Sequence, residues 1–365
     1  MHDLVVHTLH LLASADRRGA EVFGVALAER LEELGQSGEV VALQPARAAD
    51  RGLDVEVVEG FPHPRAVRAL RARARRADVV LGHGSRGLVA GTAATFGTST
   101  PLVYRSIGDP TFWGASRSRQ LRVGLQLRRA AAVTALWPEA AEAIARQYGV
   151  RAERIQVVPN AADERRFTPI DPAERQAGRA ALELPEGVPV LLYLGALSPE
   201  KRVVQIVAAA AAVPDATLLI VGDGPDRDAV VRAAEASLPG RHRLLAPVSD
   251  VRPLLAAADA LVLLSETEGQ PGVAIEAGMV GLPVLATDVG GLPSVVEDGV
   301  TGRLVPAQAA PDAVGAALSA LLADATTIGT AAAQRCAREF SLARVAASFD
   351  QVLRQAAGVA ANHGR

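Results

Sequence analysis

Two glutamates, Glu268 and Glu276, are the side chains in this 365-residue sequence best suited to chemistry. Glu268 lies in a loop at 265–272, and Pro271 suits the first turn of a helix that carries Glu276. The free N–H groups and the dipole at a helix start attract an anion. Carboxylates beside that anion need another partner, and hydroxyl groups donate hydrogen bonds to them readily. A phosphate site next to acceptors for a polyol predicts a sugar nucleotide as the ligand.

A strand-helix-strand unit positions these glutamates. A short apolar run after Asp259 predicts a buried strand. The helix that follows continues to the breaker pair Gly281 and Pro283, and the run 284–287 predicts a second strand. Ligands of such units bind beyond the carboxyl ends of the strands. The loop 265–272 is therefore expected to line the site.

The order Glu-Gly-x-Pro-x-x-x-x-Glu-Ala starting at Glu268, followed by GLPVLATDVGG and EDGVTGRLV, resembles the retaining glycosyltransferases of family 4. The resemblance is strong over 195–306 and weaker before 157. It implies the GT-B fold, an α/β architecture of two doubly wound Rossmann-like domains with a cleft between them. The second domain would bind most of the donor and the first domain the acceptor.

The same resemblance assigns roles around the two glutamates. Glu268 would contact the transferred sugar near its reacting carbon, and Glu276 would hold the ribose hydroxyls of the nucleotide. The family usually has an aromatic residue where Gln270 stands, which leaves the donor sugar open. The backbone between the glutamates would surround the sugar and phosphate, at Gly269, Gln270, Pro271, Gly272 and Val273.

Lys201 is the only lysine, in the loop GALSPEKR after a predicted strand at 189–194. The family pattern Gly-Arg-Leu-x-x-x-Lys-Gly places an arginine and a lysine on the donor pyrophosphate. Here Ala196 takes the arginine position, and Arg202 is expected to supply the second positive charge. A leaving diphosphate gains charge as the sugar bond breaks, so cations there stabilise the transition state more than the ground state. Lys201 is thus a candidate for both catalysis and donor binding.

Further donor contacts follow from the resemblance alone. Gly19, in the sequence Arg-Gly-Ala-Glu, would approach the donor phosphates, although an ordinary helix start produces the same pattern. Gly222 follows a predicted strand at 217–221, and Pro247 and Val248 would lie near the nucleotide base.

His83 is the candidate catalytic residue on the acceptor side. It follows a predicted strand at 78–81, where the family commonly has a His-x-His pair, and Leu81 replaces the first member. Ile107 stands where many members carry a histidine. A histidine between glycines in a turn is otherwise most often a surface residue, which is the alternative interpretation.

No metal or other cofactor is expected. Asp226 and Asp228 form an Asp-x-Asp sequence, but acids at a helix start are explained by the helix dipole. The single cysteine, Cys336, excludes an internal disulfide and a Cys-rich metal site and is compatible with a reducing cytoplasm. The sugar nucleotide is a substrate.

The charge distribution limits the partners. The formal net charge is -2, which gives no overall attraction to nucleic acid or membrane. Two arginine-rich stretches, 65–76 and 117–129, make the N-terminal half locally basic. Neither carries the aromatic residues that stack on bases, so no nucleic acid partner is predicted. Peripheral contact with anionic lipid is a hypothesis.

No signal peptide and no apolar run long enough to span a bilayer is predicted. The expected location is the cytoplasm, with contact at the inner membrane face. The strong preference for arginine over lysine is typical of a GC-rich, bacterial-type genome.

A chain of this length suits two domains. Prolines 169, 172 and 185 mark a boundary, which predicts an acceptor-side domain at 1–170 and a donor-binding domain at 171–340. A helix in 341–365 would cross back to the first domain before a loose tail. Short apolar runs predict the first strands at 4–7, 40–43 and 55–58.

The resulting hypothesis is a metal-independent retaining glycosyltransferase. It would move a hexose-type sugar from a UDP-sugar or GDP-sugar to a hydroxyl of a small-molecule, lipid-linked or glycan acceptor. One alternative is a sugar-nucleotide epimerase of the same fold. Another is a non-catalytic sugar-nucleotide-binding subunit, suggested by Ala196, Gln270 and Ile107 at positions where the family has other residues.

Overall fold

A computed structural model describes residues 5–47, 52–113, 116–185 and 187–363. The chain divides into two compact units. Unit 1 contains the described residues up to Ala161 and the segment that begins at Leu342, and unit 2 runs from Ala162 to Ser341. The change of unit thus falls at Ala161, against a predicted boundary after residue 170.

Unit 1 is built on a parallel sheet. Its strands are β1 (His7–Leu12), β2 (Ser37–Ala42), β3 (Glu56–Val57), β4 (Val79–His83), β5 (Leu102–Arg105), β6 (Ala132–Ala135) and β7 (Ile155–Val157). Its helices, numbered along the whole chain, are α1 (Gly19–Glu33), α2 (Pro64–Ala74), α3 (Gly84–Thr95), α4 (Arg117–Arg129), α5 (Pro138–Tyr148) and α14 (Leu342–His363). The seven strands lie in the order β3-β2-β1-β4-β5-β6-β7. The order reverses between β1 and β4, which makes the sheet doubly wound.

Successive residues of β4 pack into separate cores on the two faces of this sheet. Val80 belongs to a core under α2, α3 and α5, whereas Val79 and Leu81 face α1 and α14. Such alternation is the period of a strand covered on both sides. In α14, Phe349 is fully buried and its ring lies 6.3 Å from that of Phe23 in α1. The last helix therefore completes the core of unit 1.

Unit 2 repeats the architecture. Its strands are β8 (Val190–Leu194), β9 (Thr217–Val221), β10 (His242–Leu245), β11 (Ala260–Leu263), β12 (Val284–Thr287) and β13 (Gly302–Val305). Its helices are α6 (Pro172–Ala181), α7 (Val203–Ala211), α8 (Arg227–Ser237), α9 (Arg252–Ala257), α10 (Gly272–Met279), α11 (Leu292–Val295), α12 (Pro311–Ala323) and α13 (Ala325–Glu339). The six parallel strands lie in the order β10-β9-β8-β11-β12-β13. The expectation of two Rossmann-like α/β domains is confirmed.

The predicted bounds of the first strand, 4–7, are wrong. β1 begins at His7 and continues to Leu12, and residue 4 lies outside the described residues. The sequence misled because Thr8 and His10 interrupt the apolar run, yet both side chains are buried at 1% exposure.

Within the described residues, no single helix has both the length and the apolar character needed to cross a bilayer. The pair α12 and α13, bent by 83°, meets that criterion together on length and composition alone.

Candidate functional site

A lysine and a glutamate meet at the carboxyl ends of β8 and β11. Nζ of Lys201, in the single 3₁₀ turn after β8, lies 2.5 Å from Oε1 of Glu268. The hydroxyl of Ser265 donates to the same carboxylate oxygen at 2.8 Å. The Glu268 side chain is 12% exposed and that of Lys201 23%. Two donors thus fix Oε1 of Glu268 and leave Oε2 as the oxygen that can accept from a ligand.

Backbone contacts hold this loop on neighbouring strand ends. The N–H of Glu266 donates to the carbonyl of Glu200 at 2.8 Å. The hydroxyl of Thr287, at the end of β12, donates to the carbonyl of Ser265 at 2.6 Å. Gly290 has a φ of 54°, and a Cβ there would lie 1.9 Å from the carbonyl oxygen of Glu268. Only glycine permits this approach, so the backbone around Glu268 is set by the loop after β12.

The start of α10 follows the Glu268 loop directly in the chain. Its first residue follows Pro271, and no side chain caps the helix. The N–H groups of a first helical turn have no acceptor within the helix, so those of Gly272 and Val273 are suited to an anion. The helix start is thus uncapped, as predicted, and its role together with the lysine in binding an anion stays a prediction.

Gln270 does not extend toward solvent as a replacement for the usual aromatic residue. Its side chain is 5% exposed and donates to the hydroxyl of Ser294 at 2.6 Å. That hydroxyl in turn donates to the carbonyl of Gly291 at 2.6 Å. Gln270 therefore braces the loop that contacts Glu268.

Glu276, in the middle of α10, is partly buried. Burial raises the pKa of its carboxyl group to about 7, against a smaller opposing effect from the charge of Arg166. Among the described residues no hydrogen bond to this carboxyl group is found. An ionisable acceptor with no protein partner is suited to a ligand that brings its own hydroxyl donors.

The loops after β8 and β9 pack against each other. Gly222 has a φ of 155°, and a Cβ there would lie 1.8 Å from the carbonyl oxygen of Gly195. The N–H of Leu197 donates to the carbonyl of Asp223 at 2.9 Å. Gly222 is thus explained by the contact between these loops, and its predicted role in donor binding stays a prediction.

The two adjacent cations do not reach the same group. Arg202 adopts a left-handed backbone conformation with a φ of 53° and begins α7. Its guanidinium group donates to the carbonyl of Ala307, whereas Lys201 reaches Glu268. The expectation that Arg202 provides a second charge beside Lys201 is therefore not met by this conformation.

Three other predicted donor residues lie on open surface. Pro247 and Val248, after β10, are exposed, Val248 at 44%. Gly19 is the exposed first residue of α1 in unit 1, and no atom lies near the position of a Cβ there. All three are accessible to a ligand.

His83 lies at the carboxyl end of a strand, as the sequence predicted, but the alternative that it is a surface residue is wrong. It is the last residue of β4 and is 3% exposed. Its ring stacks on that of His10 with centroids 5.6 Å apart, and Nε2 lies 3.4 Å from Nδ1 of His10. Burial lowers the pKa of His10 to about 4 and that of His83 well below its usual value, so both rings are neutral near pH 7. Nδ1 of His83 is buried and has no hydrogen-bond partner among the described residues, and the predicted catalytic role of His83 stays a prediction.

Next to this pair lies a buried arginine that the sequence did not single out. Arg105, at the end of β5, is 1% exposed, and its guanidinium carbon lies 3.8 Å from the ring centroid of Phe23. It donates to Asn160 Oδ1 at 3.0 Å. Burial lowers its pKa to about 9, and burial also raises the pKa of Glu21 in the first turn of α1. The signal available was the charged residue at a strand end, where polar side chains gather in parallel sheets.

No group of three or more His, Cys, Asp or Glu side chains that could hold a metal ion occurs in the part of the chain that the structure describes.

Two doubly wound parallel sheets in one chain, with a lysine, a glutamate and an uncapped helix gathered at strand ends of the second, define a GT-B protein. Two family models match the sequence, one over each unit. The model described as "Glycosyl transferase 4-like domain" matches residues 4–161, and "Glycosyl transferases group 1" matches residues 174–338. The chain belongs to the family 4 glycosyltransferases.

Curated relatives share part of the chain. A D-inositol 3-phosphate glycosyltransferase of Nocardia farcinica is 39% identical over 201 residues, which cover 51% of this chain and 44% of the relative. A 2-deoxystreptamine glucosyltransferase of Streptomyces kanamyceticus is 37% identical over 188 residues, covering 49% of this chain and 47% of the relative. The chain thus spans about half the length of the curated relatives it matches.

Solved structures share the fold over nearly the whole chain. Anabaena HepE, in complex with UDP and glucose, superimposes with a TM-score of 0.83 at 24% identity, covering 96% of this chain and 99% of HepE. Sucrose-phosphate synthase of Thermosynechococcus elongatus gives a TM-score of 0.80 at 21% identity, covering 96% and 98%.

Proposed function

We propose that the protein is a retaining glycosyltransferase that moves a hexose from a nucleotide-sugar donor, a UDP-sugar or a GDP-sugar, to an acceptor hydroxyl. The observation that carries the proposal is the contact between Lys201 and Glu268, in the loop that leads into the uncapped start of α10, with Glu276 in the same helix. The cation and the free N–H groups match a diphosphate. The two carboxylates, which have oxygens left for a ligand, match a sugar and a ribose.

The donor would be held by groups of different charge. Lys201 and the first N–H groups of α10 bind the diphosphate, Glu276 accepts from the ribose hydroxyls, and Oε2 of Glu268 accepts from the sugar. Binding of the diphosphate draws Lys201 toward the phosphate oxygens and lengthens its contact with Oε1 of Glu268. Ser265 keeps its hydrogen bond to that oxygen, so Glu268 stays in place while the lysine changes partner.

Transfer requires no metal in this proposal. The bond between the anomeric carbon and the diphosphate oxygen breaks, and the charge on the leaving oxygen is stabilised by Lys201 and the helix N–H groups. The acceptor oxygen forms its bond to the anomeric carbon on the same face. The departing phosphate accepts the proton of the acceptor hydroxyl, so no side chain has to act as a general base.

Similarity to curated relatives supports a small polyol as the acceptor. Inositol phosphate and 2-deoxystreptamine, in the names of two relatives that are 39% and 37% identical, are both six-membered carbocyclic polyols. We propose a cyclitol-type acceptor and, since one relative is named a glucosyltransferase and HepE was solved with UDP and glucose, UDP-glucose as the first donor to test. A cytoplasmic location is also proposed, because Cys336 is a buried free thiol and is compatible with a reducing compartment.

The test begins with a thermal-shift screen of UDP, GDP and their sugars. A ligand at 100 times its Kd adds about 2.7 kcal/mol to the free energy of unfolding. Donors that stabilise the protein are then incubated with cyclitols, and released nucleotide and the anomeric configuration of the product are measured, with and without a chelator. Nucleotide release, a retained anomer and no effect of the chelator support the proposal.

Other outcomes of the same assay separate the alternatives. Conversion of the donor sugar to its epimer with no acceptor indicates an epimerase. Binding of donors with no turnover on any acceptor or water indicates a non-catalytic subunit. An inverted product contradicts the retaining mechanism, and loss of activity with a chelator contradicts metal independence.

A further inference from the structure

An arginine side chain connects α13 to the end of α11. Nη2 of Arg335 donates to the carbonyl of Ser294 at 2.9 Å, and Nη1 donates to the carbonyl of Val295 at 3.3 Å. Ser294 and Val295 are the last two residues of α11, and the last carbonyls of a helix have no partner within it. The planar fork of a guanidinium group suits two neighbouring oxygens. Arg335 therefore fixes the carboxyl end of α11 on α13.

Acidic side chains hold the arginine in this direction. Nε of Arg335 donates to Oε2 of Glu339, one turn later in α13, at 3.1 Å. Oε2 of Glu297, just after α11, lies 3.9 Å from Nη1. The Arg335 side chain is 18% exposed. Its donors are thus directed at α11 by groups on both sides of the guanidinium plane's edge.

The other side of Ser294 contacts the loop of Glu268. The Ser294 hydroxyl accepts from Gln270 at 2.6 Å and donates to the carbonyl of Gly291 at 2.6 Å. The N–H of Gly291 donates in turn to the carbonyl of Glu268 at 3.2 Å. A continuous series of contacts therefore runs from Arg335 through Ser294 and Gly291 to the backbone of Glu268.

The same helix, α13, also packs on α10, which follows the Glu268 loop. A Cβ at Gly278 in α10 would lie 2.4 Å from Sγ of Cys336, the residue after Arg335. A Cβ at Gly329 in α13 would lie 2.1 Å from the carbonyl oxygen of Gly281, just after α10. Close approach at two levels keeps α10 and α13 from sliding past each other. Helix α13 thus supports α10 by packing and α11 through Arg335.

We propose that Arg335 is a positioning residue for sugar transfer, which holds the backbone of Glu268 through α11 and Gly291. This role rests on the proposed function, because the step it affects is the one assigned to Glu268. Without Arg335, the carbonyls of Ser294 and Val295 lose their donors, and α11 can shift together with the loop that bonds Glu268. A displacement of about 1 Å in a reacting group costs on the order of a hundredfold in rate.

The effect should fall on turnover more than on the nucleotide. The proposed diphosphate and ribose contacts come from Lys201 and from α10, which α13 holds by packing that does not involve the guanidinium group. A brace that only stabilised unit 2 would behave differently. Its loss would lower the free energy of unfolding and leave the turnover of the folded protein unchanged.

The test compares Arg335→Met with Arg338→Met. Arg338 lies on the same helix, is 66% exposed and pairs with Glu339 at 2.7 Å, so it is the matched control. Arg335→Met should lower kcat at least about tenfold and leave the Kd of UDP within about twofold. Arg335→Lys should restore only part of kcat, because an ammonium group lacks the planar fork. Kinetics are measured at a temperature where thermal unfolding shows that all variants are folded.

A double-mutant cycle tests the route through Ser294. Gln270→Met removes the contact to the Ser294 hydroxyl, and Arg335→Met removes the contact to its carbonyl. If both act on the same segment, the double variant should lose less kcat than the product of the two single losses. Losses that simply multiply would show that Arg335 does not act through Ser294, and would overturn the proposal.

Hydrogen exchange of residues 289–296 measures the order of this segment without turnover. The exchange should be about tenfold faster in Arg335→Met than in Arg338→Met. If the unsubstituted protein transfers no sugar, the proposed function fails, whereas faster exchange still supports the positioning of the loop by Arg335. Unchanged exchange, a loss of kcat no larger than that of the control, or an equal loss of kcat and UDP affinity would each overturn the proposal.

Discussion

Nζ of Lys201 lies 2.5 Å from Oε1 of Glu268, although 67 residues separate the two in the chain. The contact joins the end of β8 to the loop after β11, which are neighbours in the sheet. It pairs a residue assigned to the diphosphate with one assigned to the sugar. Substitutions of each residue should therefore affect different properties.

Glu268→Gln is expected to lower turnover by about a hundredfold or more, because the charge near the reacting carbon is lost. Nucleotide affinity should stay within about twofold, since the ribose and diphosphate contacts remain. Steady-state kinetics and a nucleotide titration measure the two effects. Glu266→Gln, at an exposed neighbouring position, is the control and should retain turnover. If the Glu268 variant keeps turnover and loses nucleotide affinity, the roles of the two glutamates are misassigned.

Lys201→Met should weaken binding of UDP at least about tenfold, because a charge-assisted hydrogen bond to the diphosphate is lost. Binding of uridine, which has no phosphate, should not change. Calorimetric titration with both ligands gives the comparison. Arg202→Gln should cause a smaller loss, since its guanidinium group is bonded to the carbonyl of Ala307. An equal loss of both ligands in Lys201→Met would place the lysine away from the phosphates.

Glu276→Gln should stabilise the ligand-free protein at alkaline pH while it weakens nucleotide binding. Burial raises the carboxyl pKa from 4.5 to about 7, so the folded state holds the proton more tightly than the unfolded state. This contribution to stability is complete below pH 4.5 and is lost as pH rises through about 7. The neutral amide avoids that loss, by up to about 3 kcal/mol. Thermal unfolding of both proteins well above pH 7 and near pH 4.5 measures the difference, which should vanish at the lower pH.

Nucleotide affinity of the unsubstituted protein should rise with pH between about pH 6 and about pH 8, because ionised Glu276 accepts hydrogen bonds from the ribose better than the protonated acid does. Titrations across this range should give a flat profile for Glu276→Gln. A flat profile in both proteins would mean that the ribose does not contact this carboxylate.

Gly290→Ala should lower turnover strongly, because the new Cβ would lie 1.9 Å from the carbonyl oxygen of Glu268 and must displace that loop. Gly299→Ala is a matched control. Gly299 also has a positive φ, of 75°, but the nearest atom to a Cβ there is Nη1 of Arg303 at 3.6 Å. Both variants should lose about 1 to 3 kcal/mol of stability from the backbone conformation, and only Gly290→Ala should lose turnover at a temperature where both are folded.

Apolar runs alone located most strands of unit 2. The strands at 217–221 and 284–287 have the bounds that their sequences predicted, because continuous apolar runs are typical of strands buried on both faces. The same rule failed at β1, where the polar residues Thr8 and His10 are buried. Strands and helices distant in sequence bury them, and a local sequence pattern does not show those contacts.

The candidate site was likewise predicted only in part. The motif identified Lys201, Glu268 and Glu276, and the structure gathers the first two. The hydrogen bond from Ser265, the brace between Gln270 and Ser294 and the burial of His83 on His10 depend on side-chain directions. His10 and His83 are 73 residues apart, and their stacking removes His83 from the surface that a turn would have given it. The sequence therefore identified the groups that can take part in chemistry better than it predicted which of them are accessible.

The return of α14 to unit 1 has a consequence for biosynthesis. Unit 2 is continuous from Ala162 to Ser341, so every segment of its core is available once that stretch has left the ribosome. Unit 1 begins earlier, yet Phe23 and Leu27 can bury their side chains fully only when Phe349 and Leu353 have been made. The unit that is translated first is thus expected to mature last, with a bare apolar surface that chaperones can recognise until the final helix docks.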